Sequence, residues 1–202
     1  MRKSELQSHD PADAEVILNQ GEVGYLGIMD PDGYPRAVPV NFVFTDGRIY
    51  FHGATEGEKH ALFQAGPKVT FSAAAPHAVI PSHWMGTESA CTATAFFKSA
   101  CVRGRGSIVK DLQEKAAALQ ALMEKYQPEG GYKPITASDP LYDSSLRHTA
   151  IFRIDPQQMT VKIKLGRQLS EKTRRDLIQR LEARNQALDR ATAAAIRKTL
   201  SP

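Results

Sequence analysis

Two Asp-Gly turns between β-rich runs constrain the fold of this chain more than any other feature. The run GYLGIM at 24–29 is followed by the turn DPDG at 30–33. The run RAVPVNFVF at 36–44 leads into TDG at 45–47, and RIYFHGA at 48–54 follows. Asp-Gly between strand-like runs is the strongest hairpin signal that a short stretch of sequence can carry. The pattern predicts three consecutive antiparallel strands that form a meander.

Further strand-like stretches follow at 68–75, 93–109, 148–155 and 158–166. Gly104 and Gly106 lie in the second of them and indicate a bulge or a bend, because glycine inside a strand commonly marks such a break. The last two stretches alternate apolar with polar residues and predict a final hairpin that turns at Pro156-Gln157. The chain is therefore expected to contain six or so strands.

Helix-start signals occur at two places. Asp10 before Pro11 is a typical N-cap and first-turn pair, and it predicts a helix over 11–20 that ends at Gly21. Asp111, with Glu114 three residues later, predicts a capping box at the start of an amphipathic helix over 111–127.

The remaining segments divide into weaker helices and loops. A short helix is expected within 56–67, and one broken helix or two over 170–200. The segments 76–92 and 128–147 show no clear period and are expected to be irregular loops. These elements predict a mainly β fold, a small antiparallel barrel with helices on its outside and a helical C-terminal tail. A doubly wound nucleotide fold is not expected, because neither GxGxxG nor a Walker-type loop is present.

Charge and cysteine content narrow the functional classes. The formal net charge is +4, and the segment 167–202 holds nine Lys and Arg against four Asp and Glu. Its acidic residues are interspersed and it has no aromatic residue to stack on bases, so a solvated helical face is favoured over a nucleic-acid surface. No apolar run approaches the ~20 residues that a membrane-spanning helix needs, and a cytoplasmic location is expected. Cys91 and Cys101 are expected to be reduced, and the histidine spacing predicts no metal site.

Several motifs in fixed order carry a resemblance to a known family. They read DGYP, VPVNF, DGRIYFHGA, EGEKHALFQAGPKVTF and FFKSACVRGRG. In this order the chain resembles the FMN-binding split-barrel superfamily of pyridoxamine phosphate oxidase, nearest the nitroimidazole-resistance branch. The resemblance covers roughly residues 12–165. It implies a barrel domain at 1–166, with 167–202 as a basic helical extension outside it.

Two cations are the expected phosphate ligands. The resemblance implies that Arg36, which opens a strand, and Lys59, near the start of the inserted helix, grip the FMN phosphate. The residue chemistry agrees, because a phosphate with close to two negative charges needs cations and N–H donors. The start of a helix also adds a favourable positive potential.

The ring and the ribityl chain have their own expected contacts. By resemblance, one strand passes along the isoalloxazine ring with Val38, Pro39, Val40 and Asn41. Pro39 cannot donate to a strand ladder, so it is expected at a sheet edge or against a ligand.

The next strand ends at His52, Gly53 and Ala54. The small Gly53 and Ala54 allow the backbone to approach the cofactor closely. Phe97 and Ser99 resemble the segment that completes the pocket from a second subunit. His52 is the candidate catalytic residue, as a proton donor near neutral pH or a hydrogen-bond donor to flavin or substrate. The alternative for His52 is a strand-end histidine that bonds only to backbone.

The resemblance implies an FMN-dependent oxidoreductase. The chain is expected to form a homodimer with FMN in two clefts at the interface. Hydride or electrons would pass from a reduced donor, such as a nicotinamide, to a small acceptor such as a nitro compound or a quinone. Two alternatives stay open: a non-catalytic flavin- or haem-binding protein, and a deazaflavin-dependent reductase on the same barrel.

Overall fold

A computed structural model of the chain describes residues 6–8 and 10–200. Residues 1–5, at the start of the expected barrel domain 1–166, lie outside the described residues. So do residues 201–202, at the end of the expected extension 167–202. Eight antiparallel strands form one sheet in the order β3-β2-β6-β7-β8-β5-β4, and β1 pairs with β8. Only two residues separate β3 from β4, which lie at opposite ends of that order. Because two residues span only about 10 Å, the sheet must curl until its two edges meet. The expected split barrel is confirmed.

The strands are β1 (Gln7–Ser8), β2 (Gly24–Met29), β3 (Pro35–Val40), β4 (Val43–Thr45), β5 (Arg48–Gly53), β6 (Lys68–Ile80), β7 (Thr94–Ile108) and β8 (Ala150–Lys164). The helices are α1 (Pro11–Gln20), α2 (Glu58–Gln64), α3 (Leu112–Tyr126), α4 (Pro140–His148), α5 (Glu171–Arg184) and α6 (Asp189–Arg197), with short 3-10 helices at Ser82–Met85 and Ala90–Thr92. Both expected N-caps are confirmed, since Asp10 accepts from the Ala12 N–H and Asp111 from the Glu114 N–H.

Both Asp-Gly turns are confirmed, but the meander is wrong. Asp46 and Gly47 both have positive φ, 50° and 72°, as a two-residue hairpin turn between β4 and β5 requires. The expected single strand 36–44, however, breaks at Asn41 and Phe42, and β3 does not pair with β4. Phe42 is fully buried. The chain therefore crosses here from one edge of the sheet to the other.

The expected final hairpin is also wrong, because 150–164 is one continuous strand. Pro156-Gln157 is a bulge instead of a turn: Arg103 pairs with Gln158 and Gly104 with Pro156, which leaves Gln157 unpaired. A side chain at Gly104 would clash with the Asp155 carbonyl oxygen, so only glycine fits opposite this bulge. The expected irregularity is thus found at Gly104 but not at Gly106, its extra residue belongs to β8, and β7 itself is one long strand.

Both segments expected to be irregular contain regular structure. Residues 76–80 continue β6, where a register shift beyond Pro76 marks a bulge. Pro76 is tolerated because β2 pairs with β6 only as far as Ala73, so no ladder bond is lost on that side. Within 128–147, α4 begins at Pro140, and its N-cap Asp139 accepts a hydrogen bond from the Leu141 N–H. The pair Asp139-Pro140 repeats the signature of Asp10-Pro11 and could have been read from the sequence.

The barrel core is rich in phenylalanine, and the tail packs on it. The largest fully buried side chains include Phe42, Phe51, Phe63, Phe71 and Phe152. The tail forms two helices, as one of the expected alternatives, and its buried side chains Leu177, Leu181 and Ile196 belong to the main core cluster.

Candidate functional site

A cavity of about 170 Å³ lies between the edge strand β3 and helix α2. It is lined by Ile28, Arg36, Val38, Glu58, Lys59 and Leu62. The fold thus brings together three of the residues expected to hold a cofactor, Arg36, Val38 and Lys59. The side chains of Arg36 and Val38 project on the same side of β3, because their partners in β2 are the buried Ile28 and Leu26.

The Lys59 ammonium is half-buried against aromatic rings. Its Nζ lies 5.5 Å from the centre of the Phe51 ring and 5.1 Å from that of Phe152. Burial lowers the pKa of Lys59 below its usual value. Among residues 6–8 and 10–200, no carboxylate lies within ion-pair distance of this ammonium. Lys59 is therefore a partly desolvated cation that lacks an anionic partner in this part of the chain.

Gly53 leaves the space that Lys59 occupies. A methyl group at Gly53 would lie 3.0 Å from Lys59 Nζ and 3.2 Å from the Phe152 ring. Gly53 ends β5 on the face of Phe51, because side chains alternate along a strand. A side chain at this position would therefore displace the Lys59 ammonium or the Phe152 ring.

Arg36 is paired, in contrast to Lys59. Its guanidinium forms an ion pair with the Glu58 carboxylate, and this contact raises the pKa of Arg36. Both side chains are roughly half exposed, so water screens the pair and its net stabilisation is small. With two cations and one carboxylate, the cavity keeps one uncompensated positive charge. Glu58 is a lining residue that sequence reasoning missed, although it directly precedes Lys59.

The other expected ring contacts divide between the two faces of β3. Val38 and Val40 pack against the barrel core. Pro39 projects from the opposite face, beside the half-exposed Tyr25 with which it pairs. The expectation of an edge position for Pro39 is confirmed, since β2 is the one strand that pairs with β3 among residues 6–8 and 10–200. Ala54 follows β5 and is exposed.

Asn41 lies on the crossover between β3 and β4, and helix α3 fixes this crossover. The Asn41 amide donates to the Glu22 carbonyl oxygen at 3.4 Å. The Tyr126 hydroxyl donates to the same carbonyl at 2.6 Å and accepts from the Phe42 N–H at 3.0 Å. Tyr126 is 84 residues from Phe42, and no local pattern in the sequence marks this contact.

His52 projects from the face of β5 opposite to the face on which Lys59 packs. It pairs with Ile151, and its exposed side chain projects from the face opposite to Phe51 and Gly53. The small cavity is not lined by His52. Its expected catalytic role therefore stays a prediction.

Phe97 and Ser99 lie on the outer face of β7, away from this cavity. Ser99 pairs with Ala74 and Lys162, and Phe97 pairs with Lys164. The ammonium groups of Lys162 and Lys164 lie 5.2 and 5.8 Å from the centre of the Phe97 ring. Because β7 is three strands from β3 in the sheet, Phe97 and Ser99 do not line the cavity that holds Arg36 in the same chain.

Other chemistry is limited in the described part of the chain. Residues 6–8 and 10–200 hold no group of three or more His, Cys, Asp and Glu side chains that could bind a metal ion. Cys91 and Cys101 are both free and exposed. No helix within these residues is long and apolar enough to span a membrane.

Comparison with known proteins finds one matching family model and several solved structures of similar fold. A family model described as pyridoxamine 5'-phosphate oxidase matches residues 10–163. A candidate 5-nitroimidazole antibiotic resistance protein from Bacteroides thetaiotaomicron is 26% identical, with a TM-score of 0.63 over 78% of this chain and 86% of that one.

Two further solved structures share the fold. A flavocytochrome from Azotobacter vinelandii is 20% identical, with a TM-score of 0.68 over 81% of this chain and 72% of that one. An FAD and heme binding protein from Mycobacterium smegmatis is 17% identical, with a TM-score of 0.66 over 79% and 73%. Among curated protein sequences, no match was found.

Proposed function

The chain belongs to the pyridoxamine 5'-phosphate oxidase family, and from that premise we propose that it is an FMN-dependent oxidoreductase that works as a homodimer. The observation that carries the proposal is the half-buried Lys59 ammonium, which lines a cavity with Arg36 and has no carboxylate partner among the described residues. Burying a cation without a partner is unfavourable, and an anionic ligand offsets that cost.

The residues around the cavity fit a phosphate monoester. Lys59 supplies a point charge, and Arg36 supplies a planar fork of N–H donors for phosphate oxygens. Gly53 keeps the space beside the ammonium open. The Arg36 guanidinium forms an ion pair with the Glu58 carboxylate. A bound phosphate would therefore compete with this carboxylate for the guanidinium or share the guanidinium with it.

The size of the cavity supports a site shared between two chains. About 170 Å³ is below the range of roughly 300–1,000 Å³ of pockets that enclose a whole drug-sized ligand. It accommodates a phosphate and part of a ribityl chain, so the isoalloxazine ring has to extend beyond it. A second chain that presents Phe97 and Ser99 would supply the missing wall.

An exposed apolar surface near the edge strand supports the same proposal. Tyr25, Met29 and Tyr34 are 55%, 56% and 71% exposed. Tyr25 and Met29 lie on the outer face of β2, opposite Pro39 and Pro35 of β3. Exposed apolar side chains that lie beside each other on paired strands are typical of an interface between proteins.

The chain's residues would bind and orient the cofactor, and FMN when bound would accept and release hydride or electrons. Arg36 and Lys59 would hold the phosphate. Backbone groups of Val38, Pro39 and Val40 and the Asn41 amide would contact the ring, and Tyr126 fixes the crossover that carries Asn41. In this proposal His52 donates a hydrogen bond or a proton at the end of β5.

A small acceptor such as a nitro compound or a quinone is the proposed substrate class. The candidate 5-nitroimidazole resistance protein is 26% identical to this chain, and this similarity favours a nitro compound. The two other relatives support the barrel fold but not a ligand.

The absorption spectrum of freshly purified protein tests the cofactor. Flavin bands, followed by release of FMN on denaturation, are expected, and the loaded protein should oxidise a reduced nicotinamide when a nitro compound is supplied under low oxygen. Release of FAD in place of FMN would show that the bound flavin is FAD, and the FMN part of the proposal would be wrong. A Soret band without flavin, or failure of the colourless protein to bind added FMN, would refute the proposal.

A further inference from the structure

A groove of about 740 Å³ lies between the last helix and the barrel. Helix α6 contributes Ala191 and Ala194 to one wall, together with Lys198 directly after the helix. Strand β6 contributes Pro76 and His77 to the other wall. The family model ends at residue 163, so the α6 wall lies outside the part of the chain that matches the family. The volume is within the range of about 300–1,000 Å³ that small-molecule sites occupy.

The groove is preformed, because α6 is fixed to the barrel. The Ala78 N–H donates to the buried Thr192 hydroxyl at 2.8 Å, which joins α6 to the bulge in β6. Ile196 is fully buried in the main core. At the start of the helix the buried Asp189 accepts two hydrogen bonds from Arg184, at 2.9 and 2.6 Å. A rigid wall of this kind lowers the entropy lost on ligand binding.

The charged groups that line the groove favour an anion. Lys98 and Lys198 both line it, and neither is in an ion pair with another residue of the described chain. Glu22 also lines the groove and carries a negative charge. Its carboxylate interacts with a further cation, Lys125: burial lowers the pKa of Lys125 to about 8, and Glu22 partly opposes that shift. The uncompensated charge of the groove is thus positive.

The remaining surface of the groove favours a flat apolar body. Tyr25 is 55% exposed at its edge, and Ala74, Pro76, Ala191 and Ala194 add small apolar groups. Aromatic and proline side chains provide broad flat contacts for a ring. We infer that this groove binds a small aromatic anion, with its ring against Tyr25 and Pro76 and its carboxylate or phosphate on Lys98 and Lys198.

The position of the groove relates it to the proposed function. Pro76 and Ala74 are the direct strand partners of Phe97 and Ser99, the residues proposed to complete the flavin site of a second chain. An aromatic acid in the groove would therefore be a candidate acceptor. This last step rests on the proposed function, whereas binding of the anion does not.

Calorimetric titration of the full-length protein with three nitrophenyl probes tests the inference. The probes 4-nitrobenzoate, 4-nitrophenyl phosphate and the neutral 4-nitrobenzyl alcohol share a ring and differ in charge. At least one anion should bind about tenfold more tightly than the alcohol, and the stronger of the two identifies the preferred head group. Added salt should weaken binding of the anion and leave the alcohol unaffected.

Variants identify the site. Lys98→Gln and Lys198→Gln should each lower the affinity for the anion by about three- to tenfold. The effect is moderate because water partly screens the two lysines. Ala194→Trp should abolish binding by filling the groove. Lys172→Gln serves as control, because Lys172 is an exposed lysine of α5 that does not line the groove. The inference is overturned if the alcohol binds as tightly as both anions, or if the variants bind like the wild type.

Failure of the two proposals can be told apart. A protein that binds the anion but no flavin would refute the proposed function alone. A protein that binds FMN and turns over neutral nitro compounds, with no affinity for either anion, would refute the groove site alone.

Discussion

Replacing Lys59 by methionine should change FMN affinity and apoprotein stability in opposite directions. A charge-assisted hydrogen bond contributes about 1.5–3 kcal/mol, which corresponds to roughly 10- to 150-fold in affinity. Since the Lys59 side chain is only half-buried, the lower part of that range applies, and we expect FMN to bind about 10- to 30-fold more weakly. Methionine keeps an alkyl chain against Phe51 and Phe152 and removes the cation whose pKa burial lowers. The melting temperature of the flavin-free variant should therefore equal or exceed that of the wild type.

Riboflavin distinguishes this explanation from a general disturbance of the pocket. It lacks the phosphate, so its affinity should be nearly equal for the wild type and Lys59→Met, measured by quenching of flavin fluorescence. Lys172→Met, an exposed lysine on α5, is the matched control and should leave both affinities unchanged. The reasoning is refuted if riboflavin is weakened as much as FMN, or if the flavin-free variant melts well below the wild type.

Three further predictions follow from the contacts. Gly53→Ala places a methyl group 3.0 Å from Lys59 Nζ. The variant should therefore bind FMN several-fold more weakly and bind riboflavin as the wild type does. An unchanged affinity for FMN would show that the space beside the ammonium is not needed. Leu181→Ala should lower the free energy of unfolding by about 2–4 kcal/mol in urea and leave the FMN Kd within about threefold, whereas loss of FMN from a folded variant would place the tail in the flavin site. Lys125 has a pKa of about 8 in the fold against 10.5 when free, so the unfolded chain binds more protons between these values and stability should rise with pH across that window. Lys125→Met should lose that rise in a series of melting temperatures, and an unchanged pH profile would contradict the buried ammonium.

The sequence predicted the elements that depend on local signals. The helix 11–20 and the strand 24–29 have the expected bounds, because Asp10-Pro11 and the DPDG turn act within a few residues. The loop expected at 128–147 was wrong although Asp139-Pro140 repeats the first of these signals.

The errors elsewhere arise from pairing over long distances. Pro156-Gln157 is typical of a turn, yet its bulge depends on Gly104, some fifty residues earlier, which leaves no room for a side chain. Likewise, the break at Asn41-Phe42 requires a barrel that closes and a hydroxyl from Tyr126.

The candidate site also has a part that the sequence predicted and a part that depends on contacts between distant elements. Arg36 and Lys59 could be placed by resemblance and by the chemistry of phosphate, and the structure brings them to one cavity. The ion pair of Arg36 with Glu58 and the space that Gly53 leaves for Lys59 are contacts between separate elements, which no spacing in the sequence encodes. The orientation of His52 depends on its pairing with Ile151 in β8, about a hundred residues later.

Mixing two variants that each weaken FMN binding tests the shared flavin site most directly. Lys59→Met damages the phosphate side of a site, and Phe97→Ala damages the side expected from the partner chain. In a homodimer with shared sites, refolding the two chains together gives heterodimers in which one site carries both changes and the other carries neither. We predict a particle of twice the chain mass by light scattering, with FMN titration recovering about one wild-type-affinity site per four chains. A monomer that binds FMN tightly, or a mixture that binds no better than either variant alone, would contradict the shared site.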